Sequence, residues 1–332
     1  MRMFVAMLVG LAACSGKVDL AGGDDDGSAP PPGAYFPAGA PWYQDVSGAP
    51  VDPSSPTVIG YLDGFGWATG GIFQIDYALE VLDAPAGAPR QAFVPTRDWG
   101  LPDCDMVELP VPAGGAIEGE NGYACAGNGD CHFIVVDRTA HELYEMWRAN
   151  IAGGVFHGGC LAVWDMTRVY GPKGRGEQCT SADAAGYPIA PLLFTADEVA
   201  SGEIAHAIRF ILPNPHIRAG EYVHPATHGT PTASGPAEAP PYGAHLRLKA
   251  SFDESKLATP GARVVARALK KYGMFLADGG NVPLTAQSDR FTVAKWDGLL
   301  GPHDLDGIVP GDFELLEMPA PVPLTLDCVR EP

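Results

Sequence analysis

An all-β chain, built as an antiparallel β-sandwich or jelly roll with one or two short helices, is the fold class this sequence predicts. Three observations carry that expectation. From residue 35 onward short apolar segments alternate with turns, the turns draw on 42 glycines and 32 prolines in 332 residues, and only two stretches hold the signals for both ends of a helix. The regular alternation of strand and helix that parallel sheets require is not seen.

Taken in order, the chain begins with Arg2 followed by an apolar run over 4–13, too short to span a bilayer as a mature helix. Its end, Leu11-Ala12-Ala13-Cys14, resembles a bacterial lipoprotein signal. The resemblance implies cleavage after residue 13, acylation of Cys14 and attachment to a lipid bilayer, with more than one acyl chain giving stable anchoring. Residues 1–13 therefore read as a signal peptide. Residues 14–34, with Asp24-Asp25-Asp26-Gly27 and Pro30-Pro31-Pro32, have no apolar face to bury and read as a solvated tether. Residues 35–332 read as a single β-sandwich domain.

Within that domain the expected strands are 71–77, 131–137, 142–148, 161–164, 204–212, 244–252 and 274–277. The second and third are separated by 138–141, short enough for a hairpin. One helix is bounded by the capping-box pair Thr195 and Glu198 and by Gly202. The other starts at Thr259 and Pro260, places Val264, Val265, Ala268, Leu269 and Tyr272 on one face, and stops at Gly273. Its Arg263, Arg267, Lys270 and Lys271 form the solvated side. The small-residue and proline-rich stretch 230–241 reads as a long surface loop.

Seven cysteines less Cys14 leave Cys104, Cys125, Cys131, Cys160, Cys179 and Cys328. An oxidising compartment pairs them as three disulfides, and of the fifteen connectivities that six allow, Cys125–Cys131 across the turn-rich pentapeptide Ala-Gly-Asn-Gly-Asp is the pair to expect first. No CxxC or Cys/His spacing for zinc accompanies them. A net charge of −19 argues against nucleic acid and against electrostatic adhesion to anionic lipid, because both need positive surface potential.

Three segments, EIAHAIRF at 203–210, GAHLRLKASFD at 243–253 and ALKKYGMFLADG at 268–279, resemble a family of secreted microbial proteins whose function is uncharacterised. The likeness covers about 130–280 and implies a contiguous secreted domain, without an activity or a site.

Periodicity supplies the candidate residues. Along 244–251, Ala244, Leu246, Leu248 and Ala250 alternate with His245, Arg247, Lys249 and Ser251, so one face is buried and the other presents three nitrogen-bearing side chains. Such a ridge suits the carboxylates or hydroxyls of a sugar polymer. Glu145 shares a strand face with Leu143 and Trp147, where burial would raise its pKa and fit it for general acid or base work. Trp147 suits stacking on a sugar ring, and His132 lies on the neighbouring strand. His206 is in phase with Ile204, Ile208 and Phe210, and Arg209 points to the other side.

The expected catalytic group is thus Glu145, His132 and His206, with Arg247, Lys249, His245, Trp147 and Arg209 holding substrate. His224 and His228 lack a helix and a third ligand, so no metal is expected. Asp304-Leu305-Asp306-Gly307 places its glycine too early for an EF-hand loop. Asp278-Gly279-Gly280-Asn281 is first a turn and second a substrate-contacting loop. Nucleophile elbow, phosphate loop and dinucleotide fingerprint are all missing, so no cofactor is expected and turnover stays open. The function expected is an extracytoplasmic, lipid-anchored protein on the periplasmic or cell-surface side that binds, and as an enzyme cleaves, an extracellular polysaccharide. Its alternative is a non-catalytic surface or structural lipoprotein.

Overall fold

The computed structural model describes residues 29–68, 70–127 and 129–331. The expected acylation signal, Cys14 and most of the expected tether lie outside them. Strand outweighs helix, 25% against 14%.

The elements that position the site are, in chain order, α1 (Ser55–Asp63), β1 (Ile75–Leu79), β2 (Val81–Asp83), β3 (Phe133–Asp137), β4 (Glu142–Trp147), β5 (Cys160–Asp165), α2 (Ala196–Ser201), β6 (Ile208–Leu212), β7 (His245–Leu248), α3 (Pro260–Lys271), β8 (Met274–Gly279), β9 (Leu284–Gln287) and β10 (Phe313–Leu315). One sheet runs β1-β9-β6-β8-β7-β10 and a second runs β5-β4-β3-β2. Short strands of two to four residues form small ribbons around them.

The β content matches expectation, but the pairing corrects it. β1 with β9, β6 with β8, and β2 with β3 are parallel, so neither main sheet is purely antiparallel. The four-stranded sheet is also buried on both faces. Ile134, Val136, Leu143 and Trp164 join the main core, whereas Phe133, Val135, Tyr144, Met146 and Leu161 form a second, smaller one. Near-continuous apolar strands follow from that two-sided burial.

Both expected helices form. Thr195 Oγ1 accepts from Glu198 N while the Glu198 carboxylate accepts from Thr195 N, and Gly202 ends α2 in the left-handed region at φ 92°. Thr259 caps α3 by accepting from Ala262 N, and Val264, Val265, Ala268 and Leu269 are buried. The basic side of α3 is tied down locally: Arg263 donates to Leu257 O and Lys270 to Phe252 O and Glu254. Helix α1 was not expected, because Pro56 and Gly60 interrupt its short apolar stretch. Pro56 stands in the first turn, where it needs no N–H partner, and Val58, Ile59 and Leu62 are buried.

Three disulfides close Cys104–Cys160, Cys125–Cys131 and Cys179–Cys328, with the expected short-loop pair among them. Disulfide bonding fits an oxidising, extracytoplasmic compartment. None of the helices among the described residues is long and apolar enough to cross a membrane.

Candidate functional site

Arg209 organises the densest group of charges. Strand alternation sends Ile208 and Phe210 into the core and Arg209 to the opposite face, where it is only 4% exposed. A buried guanidinium needs partners, and of the Arg209 nitrogens only Nε has none among the described residues. The group has Asp183 Oδ1 at 2.6 Å, Thr285 Oγ1 of β9 at 2.8 Å and Asp278 Oδ2 at 3.6 Å.

Asp278 reaches that face through a local irregularity. Phe210 pairs with Leu276, but Ile211 pairs with Asp278, so Ala277 is an extra residue in β8. Such an insertion turns the following side chain across the sheet. Asp183 comes from the segment 181–193, which is stitched to both sheets: Ala185 N donates to Ala277 O of β8, and Ile189 N and Ala190 N donate to Glu145 of β4. Gly186 in this segment has φ +79°, and a Cβ there would stand 2.1 Å from Thr227 Oγ1, so no other residue fits.

Burial raises the pKa of Asp183 well above the carboxylate range; the Arg209 charge opposes that rise, and Asp278 adds to it. Asp278 is shifted up for the same first reason, with Arg209 again opposing. The two carboxyls lie in hydrogen-bonding reach of each other. Asp183 Oδ2, which has no donor among the described residues, is satisfied when it carries a proton and donates to Asp278. Asp183 is enclosed, while the Asp278 side chain keeps 25% of its surface exposed.

His132 completes the group. Its Nδ1 is 2.6 Å from Glu118 Oε2 and its Nε2 is 3.1 Å from Ala182 O. Both nitrogens face acceptors, so both donate and the ring is an imidazolium. Burial pulls its pKa down, but the charge and hydrogen bond of Glu118 overcome this and bring it to about 9, with Asp278 and Asp130 contributing. Glu118 is held below its ordinary range, because the His132 charge and hydrogen bonds outweigh burial.

The structure thus brings His132 and Arg209 together with Asp183, Asp278 and Glu118, of which only Asp278 lies in a stretch the sequence singled out. Trp147, partly exposed, is linked to them through Asp130: its Nε1 donates to Asp130 Oδ1 at 2.5 Å, and the Asp130 charge acts on His132. Glu145 is close enough to His132 for its pKa to feel that charge, yet it is fully enclosed. Its two oxygens accept from Ile189 N, Ala190 N and Trp164 Nε1, so it anchors 189–190 and has no face toward a ligand.

The remaining expected residues lie apart and are already engaged. His206 places Nε2 3.1 Å from Glu198 Oε1 and Nδ1 2.7 Å from Ala207 O, which fastens the capping box of α2. The expected open ridge on β7 is corrected: Arg247 is buried against Glu314, Val46 O and Ala49 O. Lys249 donates to Gly311 O, and His245 stacks on Phe275 and meets Tyr272 O. The 46–49 turn lies over Arg247, and Glu314 stands opposite it on the neighbouring strand β10. His224 pairs with Glu177, whereas His228 meets Ala184 O, so the HxxxH residues do not converge. Asp304 bonds Thr259 and Gly301 N, Asp312 bonds Val309 N, and Glu314 holds Arg247.

Comparison with protein-family models, with curated proteins and with solved structures gives no match.

Proposed function

We propose that this chain is a lipid-anchored extracytoplasmic protein that binds an extracellular polysaccharide at the Asp278 cluster, with Asp278 as the group that can exchange a proton with the ligand. One observation carries the reading. A partly exposed carboxyl is backed by a buried carboxyl, a buried guanidinium and an imidazolium, with the partly exposed Trp147 linked to them through Asp130. Preorganised donors and acceptors of this kind suit hydroxyl-rich ligands, and an aromatic edge suits a sugar ring. Arg209 and Asp183 are positioning residues here, since both are enclosed.

A second reading, the non-catalytic surface lipoprotein, is favoured by a specific feature. Asp183 and Asp278 touch, whereas the two carboxyls of a glycosidase stand about 5–9.5 Å apart to flank the bond they cleave. We read the fold as two facing β layers in a sandwich-like arrangement. One core joins Ile134, Leu143 and Trp164 of the smaller sheet to Phe210 and Leu246 of the larger.

A polysaccharide panel, scored for retention of the protein and for release of reducing ends, separates these readings. Asp278→Asn removes one charged acceptor worth about 1.5–3 kcal/mol, so retention should weaken by about tenfold or more. Reducing ends released by the parent chain and lost in this variant identify an enzyme. Retention without release identifies a binding protein. An Asp278→Asn chain retained like the parent overturns the site, and full-length Cys14→Ser that still partitions with membranes overturns the anchor.

A further inference from the structure

A small aromatic platform stands on the surface beyond the Asp278 cluster and is connected to it. Phe65, just past the end of α1, is 53% exposed. Its ring centroid lies 4.4 Å from that of His216 and 5.1 Å from that of Tyr61, and Tyr61 and His216 are 6.3 Å apart. The three rings are fixed from below. Tyr61 Oη donates to Pro215 O at 3.1 Å, locking α1 to the 214–216 turn. Gly66, with φ +75°, would place a Cβ 2.5 Å from Gly71 Cα, so the loop behind Phe65 closes tightly and holds that ring outward.

The same turn reaches the acidic group. Asn214 Oδ1 lies 2.7 Å from the position a Cβ on Gly279 would take, and Tyr242 Oη lies 3.4 Å from it. Gly279 directly follows Asp278. Two polar atoms along this path, Asn214 Oδ1 and His216 Nδ1, are enclosed and have no hydrogen-bond partner among the described residues. Native structures leave few such atoms unmatched.

We propose that Phe65, flanked by the inclined rings of Tyr61 and His216 at 58° and 60° to it, forms a second carbohydrate subsite whose exposed ring stacks a pyranose of the polysaccharide whose neighbouring residues lie at Asp278, with Asn214 between the two. The inference rests on the proposed polysaccharide reading and adds its geometry: the ligand is a chain long enough to cover both places. A sugar fits better than a protein partner for two reasons. Three rings make a patch far smaller than the roughly 800 Å² per side of a stable protein interface. Phe65 presents a ring at the surface beside a tyrosine and a histidine, and aromatic carbon packs against the C–H face of a pyranose.

The probes are cellulose, chitin, xylan, β-1,3-glucan and pectin, followed by the disaccharide and hexasaccharide of whichever polymer retains the protein. Because Phe65 is largely exposed, Phe65→Ala should keep its urea midpoint near the parent value. It should weaken hexasaccharide binding by about tenfold while leaving the disaccharide at Asp278 unchanged. Asp278→Asn should weaken both. Hexasaccharide affinity unchanged in Phe65→Ala but reduced in Asp278→Asn overturns the platform and leaves the polysaccharide reading standing. The reverse pattern overturns the assignment of Asp278. Retention of the parent chain on none of the five polymers overturns both.

Discussion

Replacing Glu145 with glutamine tests which of two opposed effects sets the charge of a buried carboxyl. Three N–H donors aim at its oxygens and no acceptor faces it, which favours the ionised form. Burial favours the neutral form and outweighs the donors, raising the pKa from its ordinary 4.5 to about 7. At ~1.4 kcal/mol per pH unit, that rise corresponds to roughly 3 kcal/mol. The sign follows from proton binding. Between pH 4.5 and about 7 the folded chain holds more protons at this site than the unfolded chain does, so this contribution to stability falls across that window and is level above it.

Glutamine cannot ionise, so Glu145→Gln removes the pH dependence. Its amide hydrogens also face Trp164 Nε1–H or Ile189 N–H, a donor–donor conflict costing about 1–3 kcal/mol. Urea unfolding of both chains at pH 5, 6, 7 and 8, with the disulfides intact, gives the answer. The variant should be less stable at pH 5, and the gap should close by roughly 3 kcal/mol by pH 8. Parallel curves across the four pH values would refute the reasoning and show that the three donors win.

Two further expectations concern charge and covalent structure. His132 should keep its imidazolium through neutral pH, so its ring proton resonances should show a midpoint near 9 rather than 6.5. The stability that His132 contributes is full below 6.5 and is lost as pH rises through about 9. Glu118→Gln removes the largest opposing charge, and the midpoint should fall well below 9 because only the smaller contributions of Asp278 and Asp130 then oppose burial; a midpoint left near 9 would count against the pair. Among the disulfides, loop-closure entropy for separations of 6, 56 and 149 residues gives about 2, 4 and 5 kcal/mol. Paired alanine variants should lose stability in the order Cys125/Cys131, Cys104/Cys160, Cys179/Cys328. The opposite order in urea unfolding would reject the chain-entropy account.

The elements were legible where local chemistry decides them. Thr195 with Glu198, and Thr259 with Pro260, mark helix starts by satisfying orphan N–H groups, a requirement of the helix end itself. The hairpin of β3 and β4 was readable because 138–141 forces neighbouring strands to pair. Burial on the second face was not readable from 244–251, where alternation implies one wet side. Arg247 is covered because Glu314 and the carbonyls of Val46 and Ala49, all distant in sequence, supply what its guanidinium needs.

The site was harder for a related reason. Arg209 and His132 could be singled out as polar residues beside apolar rows, but their partners come from segments with no periodic pattern. Asp183 lies in an irregular stretch, and Asp278 faces Arg209 only because Ala277 is one residue too many for its ladder. Nothing in the stretch Leu276-Ala277-Asp278-Gly279 announces a bulge, since any small residue can occupy it. Glu145 shows the converse. Its neighbours Leu143 and Trp147 correctly implied burial and a raised pKa, yet burial alone does not separate a proton-transfer group from an anchor. The difference lies in what remains free: both oxygens of the enclosed Glu145 meet main-chain or indole donors, while Asp278 keeps a quarter of its side-chain surface open. For this chain, exposure of one member within a buried charge group is the feature that locates the site.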